Sequence, residues 1–442
     1  MDIENLYEKT RAITAVSVGG FKSLAEEQRV EIRPLTLLAG ANSSGKSSLL
    51  QPILLLKQTL EDSSDPGPLL LDGPHVRYSN ADQVLTRIGK RRRPDHFRVG
   101  FESGNNSIFE IFQKKGEGFD LMESSLKISG EEVVLKAESK GLATEAVEAL
   151  SPAFFGTMEH LYKSRVQWDV VRFRCFLSIM ARIDGQRQDW TEPTPDRVFG
   201  SLLRRIIHIP GLRGNPERFY KKSAVGESFP GSFDRYVASI VATWQSTSDE
   251  RFATLNDSLR TLGLTWNVAA NSLDANRLEL LVGQLSNRDG KSFVNIADVG
   301  MGVSQSLPVL VALLVAEPGS LVFIEQPEFH LHPRAEQAMA SILADAVNRG
   351  VRVVAETHSS ILLLAVQTLI AQDKLDPANV ILHWFQRDKR GATKITTAEL
   401  DEHGAYGDWP VDFGEVEMAA DNAYLDAVEA KVFPEKMKRA RK

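Results

Sequence analysis

The 442-residue sequence predicts an α/β fold with an inserted helical lobe and a small antiparallel sheet. Three features carry that expectation. Near the N-terminus, the strand-like run RVEIRPLTLLAG gives way to a glycine-rich loop and then to a long apolar stretch from Lys46 to Leu60. The same alternation of strand and helix returns after Leu278. Between the two, from about Gly141, helical periodicity takes over.

Taken in order, ITAVSVGGFKS and RVEIRPLTLLAG read as strands, and the apolar segment after Lys46 reads as a buried helix despite Pro52. EDSSDPGPLLLDGPH is too rich in Pro, Gly and Asp for anything but loop. HFRVGFES, SIFEIFQ and EEVVLKA, separated by turn residues, predict a small antiparallel sheet over residues 95–140. The long run from Thr144 to Ile183 and the run FDRYVASIVATWQSTSDERFATLNDSLRTLG carry helical spacing, so 141–270 is expected to be a compact helical lobe. Beyond Leu278 come a strand, the Gly-rich DVGMGVSQ, a helix, the strand LVFIE, a helix from Pro333, the strand VRVVAE and a helix after His358. Two further strands are expected at VILHWFQRD and ATKITTAEL. The expected division is an N-terminal lobe (1–140), the insertion (141–270), a C-terminal lobe (271–400) and an extension (401–442).

Composition narrows the function classes. With 43% hydrophobic and 25% charged residues the chain reads as globular, and a formal net charge of −6 excludes a global basic field. Two local basic runs, GKRRRPDHFR and KMKRARK, read either as solvated faces or as contacts for nucleic acid or an acidic partner. The single cysteine, Cys175, excludes an internal disulfide and a four-thiolate metal site, and fits a reducing compartment. The N-terminus lacks a secretory pattern, and no apolar run approaches the roughly 20 residues that span a bilayer, so a cytoplasmic protein is expected.

The chemistry begins with GANSSGKSS, comprising Gly40, Ala41, Asn42, Ser43, Ser44, Gly45, Lys46, Ser47 and Ser48. It fits the pattern Gly, four residues, Gly-Lys-Ser, between a strand and a helix. Glycines let backbone N–H groups turn inward around phosphates, and the helix presents its positive end to them. Lys46 would neutralise phosphate charge, and the Ser47 hydroxyl would coordinate Mg²⁺. The bland reading is a Gly/Ser turn ahead of a helix. In LVFIEQPEFHLHP, Leu321 to Ile324 form the continuous apolar run of a central parallel strand, with Glu325 at the carboxyl end where ligands collect. Glu325 reads as a metal carboxylate or as a solvent-facing strand end. His330 and His332, past Pro327, suit loop packing or a dimer contact better than a metal site.

The order of these motifs, with DVGMGVSQSLPVL between them and VVAETHSSILL after them, resembles the ATP-binding-cassette class of AAA-family ATPases, whose relatives include RecF, the SMC proteins and the OLD-type nucleases. FKSL, GANSSGKSSLLQ, PEFHLHP and ETHS are most similar to a prokaryotic subfamily of stand-alone ATPases, several of which occur in anti-phage defence. The resemblance covers residues 12–60 and 280–365 closely, and IPGLRGNPERFY more loosely. It implies a P-loop NTPase fold of ATP-binding-cassette type, ATP and Mg²⁺ as cofactors, and a homodimer sandwiching two ATP molecules, open to higher assembly. Gly300, Gly302 and Ser304 match the signature stretch, which meets the γ-phosphate bound by the opposite protomer. Read from the residues alone, that stretch is a Gly-rich helix start, suited to an anion or simply a turn. His358 matches the switch histidine; a structural cap is the alternative. Gln83, in SNADQVL, matches the glutamine that links metal to helical lobe, alongside Ser47 and Glu325.

Aligning Glu325 with the usual metal Asp places Gln326 where relatives keep the catalytic Glu, and Gln cannot accept a proton from water. Either Glu328 serves as the base or Gln326 merely orients the water. Arg213 and Arg218 are expected to approach phosphate across the dimer or to anchor the insertion through carboxylates. Pro210, Pro216 and Pro230 break the insertion, which excludes long coiled-coil arms. The function implied is an ATP-dependent dimeric switch controlling an effector on another chain, in phage defence. The alternative is a RecF-like DNA-binding ATPase in repair or end processing.

Overall fold

The computed structural model describes residues 12–88, 94–137, 166–188, 194–283, 292–407 and 422–428, apart from 129 and 185, with a few positions between 148 and 160. The basic residues 89–93 and the basic tail lie outside the described residues. The chain opens with β1 (Ala15–Gly19), β2 (Gln28–Glu31) and β3 (Leu35–Gly40), followed by helix α1 (Lys46–Glu61). Every residue of β3 is buried, as in a parallel strand covered on both faces.

The next four strands are β4 (His96–Ser103), β5 (Asn106–Lys115), β6 (Gly118–Ile128) and β7 (Glu131–Lys136). They alternate buried and partly exposed residues, the signature of a sheet with one face on the core. β1 and β2 join them, so the expected small sheet is six strands wide, in the order β2-β1-β4-β5-β6-β7.

The run from Thr144 to Ile183, expected to be helical, is strand from Val166 onward, and most of residues 138–165 lie outside the described residues. Residues 166–188 form β8 (Val166–Phe173), β9 (Phe176–Ile183) and β10 (Gln186–Gln188), an antiparallel three-stranded sheet. VQWDVVRF and FLSIMARI are rich in β-branched and aromatic residues, and short apolar runs of that kind satisfy strand and helix spacing alike. The turn between them is taken by Arg174 in the left-handed region (φ 51°). After a wide turn at Asp196–Gly200 and the short α2 (Ser201–Arg204), β11 (Ile207–Ile209) leaves the insertion and pairs in parallel with a strand of the C-terminal part. Helices do dominate further on. After β12 (Tyr220–Lys221), α3 (Asp234–Thr247) and α4 (Glu250–Thr261) match the expected periodicity.

β13 (Val268–Ser272), β14 (Arg277–Gly283) and β15 (Phe293–Asn295) form a small antiparallel sheet with β12. The α/β alternation then proceeds through α5 (Met301–Val315), β16 (Leu321–Glu325), α6 (Pro333–Asn348), β17 (Arg352–Thr357) and α7 (Ser360–Ala371), and ends with β18 (Val380–Arg387) and β19 (Thr393–Glu399). The central sheet runs β11-β16-β17-β3-β18-β19, parallel except for β19. β17 lies between β3 and β16, with Glu356 paired to Leu38 on one side and to Glu325 on the other. One hydrophobic core fills the space between the antiparallel sheet and α1; the other packs α3 to α7 on the central sheet.

One carboxyl is sealed into the antiparallel sheet. Glu110 is 1% exposed, one of its oxygens accepts from Ser124 Oγ, and the other has no hydrogen-bond partner among the described residues. Burial pushes this carboxyl well above its ordinary range, with the Ser124 bond opposing. The folded state therefore favours the protonated form, and the stability this group contributes at low pH is lost as pH rises through its folded value. Glu110→Gln is expected to be more stable than wild type at about pH 8, by on the order of 1 kcal/mol or more, and to lose less stability between about pH 5 and 8. Urea denaturation at the two pH values checks this.

Candidate functional site

The loop from β3 to α1 is held in a conformation that few residues tolerate. Gly40 (φ 139°), Ser43 (φ 60°) and Gly45 (φ 106°) all lie at positive φ. A Cβ at Gly40 would come within 2.2 Å of the Phe385 carbonyl oxygen, and one at Gly45 within 2.4 Å of Thr393 Oγ1 and 2.7 Å of Ser23 Oγ. Neighbouring elements brace the loop from outside. Thr393 Oγ1 donates to the Ser44 carbonyl (2.6 Å) and lies within hydrogen-bond distance of Ser23 Oγ (2.8 Å), while Arg387 Nε donates to the Ser43 carbonyl (2.7 Å). Sequence reading missed Arg387 and Thr393, because only the pairing of β18 against β3 brings that hairpin to the loop.

Ala41, Asn42 and Ser43 face solvent, whereas Ser44 is buried with its hydroxyl unpartnered. Lys46, 3% exposed, donates to the Gly40 and Ala41 carbonyls (2.9 Å each) and stands 3.9 Å from Glu356 Oε1. Burial lowers its pKa, opposed by the carboxylates of Glu356 and Glu328. Ser47 Oγ donates to Glu356 Oε2 at 2.8 Å. Ser48 is buried, and its N–H donates to the Gly45 carbonyl (3.1 Å).

Glu356 is the residue that sequence reading passed over. It sits one strand nearer the loop than Glu325, and burial raises its carboxyl to about pKa 7, with the Ser47 bond opposing and Glu325 adding to the rise. The signal was present in ETHS, where an acid ends the strand, but only His358 drew notice there. Glu325, by contrast, is turned away from the loop. His208 Nε2 lies 3.2 Å from its Oε1, and the Gly211 N–H donates to its Oε2 (3.1 Å). Burial would raise its pKa; these bonds carry it below the ordinary range.

Gln326 adopts a left-handed backbone (φ 50°), and its amide oxygen would lie 3.5 Å from a Cβ on Gly211. Glu328 crosses to the end of β17: its Oε1 accepts from Thr357 Oγ1 (2.8 Å) and from the His358 N–H (3.0 Å), and its buried Oε2 has no partner. Burial raises its pKa, with the His358 N–H opposing. The His358 ring bonds the Gly40 backbone, and burial first, then Lys46, lowers its pKa. Loop, Lys46, Ser47, Glu328, Glu356 and His358 thus share one edge of the central sheet.

Gln83 stands apart from that edge. It is exposed in a short turn, its amide oxygen accepts from the Ser79 N–H (2.9 Å), and among the described residues it makes no hydrogen bond to the loop or to Glu325. Gly300 caps the N-terminus of α5, is exposed, and has nothing within 4 Å of an added Cβ; a Cβ on Gly302 would meet Leu264 Cδ2 at 3.0 Å. Ser304 is turned onto its own helix, donating to the Met301 carbonyl (3.1 Å).

Two arginines resolve differently. Arg213 is 5% exposed and donates to the carbonyls of Gln305 (3.0 Å), Glu325 (2.8 Å) and Gln326 (3.1 Å), so in this chain it binds backbone. Arg218 pairs with Asp298 (2.6 Å), as an anchor. His332 caps α6, and the exposed His330 packs its ring beside Phe329.

A Gly-x4-Gly-Lys-Ser loop leading into a helix, a parallel strand between it and the second acidic strand, and a histidine at that strand's end define a P-loop ATPase fold of ATP-binding-cassette type. The family described as "AAA domain, putative AbiEii toxin, Type IV TA system" matches residues 35–365, and the chain belongs to it. No curated protein matches the sequence significantly. Similar solved structures include the Smc head bound to the C-winged helix domain of ScpA (12% identity, 88% of this chain and 98% of that chain, TM-score 0.48). Others are the SMC head domain from Thermotoga maritima (9%, 88% and 100%, 0.37) and the Smc head domain with an extended coiled coil bound to the C-terminal domain of ScpA derived from Pyrococcus furiosus (10%, 88% and 96%, 0.42).

Gly45→Ala puts a methyl group against Thr393 and Ser23 on a backbone that disfavours it. The substitution is expected to weaken binding of a fluorescent ATP analogue by about tenfold or more, a loss of 1.4 kcal/mol. Equilibrium titration checks it.

Proposed function

We propose that this chain is a cytoplasmic switch ATPase. It binds ATP with Mg²⁺ at the Gly40–Ser48 loop, closes as a homodimer over two nucleotides, hydrolyses slowly, and controls a separate effector protein in anti-phage defence. The observation that carries the reading is the braced loop with a buried lysine at its centre, whose ammonium meets, among the described residues, two carbonyls at 2.9 Å and a carboxylate at 3.9 Å. A strained, glycine-dependent backbone held from three sides around a cation suits an anionic ligand better than it suits a turn. The family's description, which names a toxin and a Type IV TA system, supports the defence setting.

Mg²⁺ fits the donor set, which is all oxygen: the Ser47 hydroxyl and an adjacent carboxylate would hold it. Bound there, it would neutralise charge on the phosphate oxygens. Lys46 would bind and orient the phosphates. His358, at the Gly40 backbone, is placed to sense the terminal one. Glu328 is the best base among the described residues, since one oxygen is fixed by Thr357 and His358 while the other is free to accept a proton, and burial makes it more basic. Gln326 can only orient water. The open N-terminus of α5 at Gly300 leaves room for the nucleotide of a second copy. A switch of this kind carries its signal through occupancy, so slow turnover suits it.

Lys46→Ala is expected to weaken ATP binding by at least about tenfold and to abolish nucleotide-dependent dimerisation seen by light scattering; an unchanged rate of phosphate release would sink the site as drawn. Glu328→Gln is expected to slow phosphate release by about a hundredfold, and Gln326→Glu to speed it. Single-turnover assays with each variant decide between the two residues.

A further inference from the structure

The magnesium ligand deserves a second reading, because the acid that the sequence offers and the acid that the fold delivers are different residues. β16 and β17 are parallel and paired so that Glu325 lies directly beside Glu356, and β17 is the strand that neighbours β3. At the spacing of adjacent strands, moving the carboxylate from β16 to β17 brings it about 4.8 Å closer to the loop at the same height. Only the nearer one touches Ser47.

The spacing of that contact is ordinary for a hydrogen bond and also fits a shared metal. Two ligands at neighbouring corners of a magnesium octahedron, each about 2.1 Å from the ion, are about 3 Å apart. Ser47 Oγ and Glu356 Oε2 are 2.8 Å apart. The other oxygen of Glu356 faces Lys46 at 3.9 Å, so the carboxylate is already oriented between the hydroxyl that binds metal and the ammonium that binds phosphate. Both oxygens of Glu325 already have partners away from Ser47. Its Oε1 is engaged by His208, whose ring is 4% exposed and stacked on Phe323, and its Oε2 by the Gly211 N–H.

Resting on the reading of the loop as an ATP site, we propose that Glu356 supplies the protein carboxylate of the Mg²⁺ shell, and that Glu325 has become a positioning residue that latches the segment after β11 to the end of β16. The double departure from the usual strand ending then has one cause. Once an acid stands on β17 beside Ser47, a second acid on β16 is released from the metal and its carboxylate fixes Gly211 and His208 instead.

The test uses the full chain and Mn²⁺ as the metal probe. Nucleotide affinity is first measured in EDTA with a fluorescent ATP analogue for wild type, Glu356→Gln, Glu356→Asp and Glu325→Gln, which also reports whether each variant folds. Mn²⁺ binding to each nucleotide complex is then titrated by electron paramagnetic resonance. The expected result is metal-free nucleotide binding by all four, a loss of Mn²⁺ affinity of about tenfold or more in Glu356→Gln, partial recovery in Glu356→Asp, and a smaller loss in Glu325→Gln. An equal or greater loss in Glu325→Gln overturns the assignment. So does an unchanged Mn²⁺ affinity in Glu356→Gln while nucleotide still binds, which leaves the ATP site itself standing. Failure of wild type to bind nucleotide at all removes both.

Discussion

The parallel register of β16, β17 and β3 is the constraint on which the site depends. Because side chains alternate along a strand and parallel neighbours keep equivalent heights, pairing Glu325 with Glu356 and Glu356 with Leu38 delivers two carboxylates and the phosphate loop to one edge. A slip of one residue would send Glu356 to the other face and leave Ser47 without its partner. The fully buried runs in β3 and β16 oppose such a slip, since both faces are packed and no shifted register buries the same apolar surface.

A chain of buried polar groups connects the far end of α1 to that edge. Lys57 pairs with Glu61, Glu61 with His75 (3.2 Å), the rings of His75 and His208 lie 5.6 Å apart, and His208 meets Glu325. Glu61 also takes the Gly231 N–H (3.0 Å), so the insertion is tied to the same group. Burial would raise the Glu61 carboxyl, but the His75, Lys57 and Gly231 bonds bring it below its ordinary range. Buried charges of this kind are stable only while paired, so each member fixes the next. The helix that starts at Lys46 and the strand that ends at Glu325 are therefore one mechanical unit.

Much of this was legible in the sequence, and the gaps have physical causes. The loop was readable because its chemistry is local: Gly40, Gly45, Lys46 and Ser47 act within a few residues of chain. The strands of the central sheet were readable because their apolar runs are continuous. β8 and β9 were not, since Val166–Ile183 satisfies helical and strand spacing together and only cross-strand pairing decides. Thr393, Arg387 and His208 were invisible for another reason, and the contact of Glu356 with Ser47 was hidden for the same one even though ETHS shows the acid. Each matters only through a neighbour between 117 and 370 residues away in sequence, a distance that periodicity cannot bridge. The carbonyl contacts of Arg213 were not foreseen, because a buried guanidinium that binds carbonyls looks no different in sequence from one that binds phosphate.

Arg213 also shows how strain at the edge is sustained. Gln326 and His330 both hold positive φ, a cost of about 1–3 kcal/mol each for residues with side chains, in the turn that carries Glu328 to the end of β17. Nothing in Gln326 itself favours that conformation. The Arg213 guanidinium does, by donating to the carbonyls of Glu325 and Gln326, while the Gln326 N–H donates to the Glu356 carbonyl (2.7 Å). The same guanidinium holds the Gln305 carbonyl inside α5, the helix whose open end carries Gly300. Burial drives its pKa down to about 10, yet it keeps its charge at neutral pH, so the three carbonyls remain gathered around a cation. α5 and the Gln326 turn are therefore held by one buried side chain. In the reading proposed above, that side chain would join the face open to a second copy to the turn that carries Glu328.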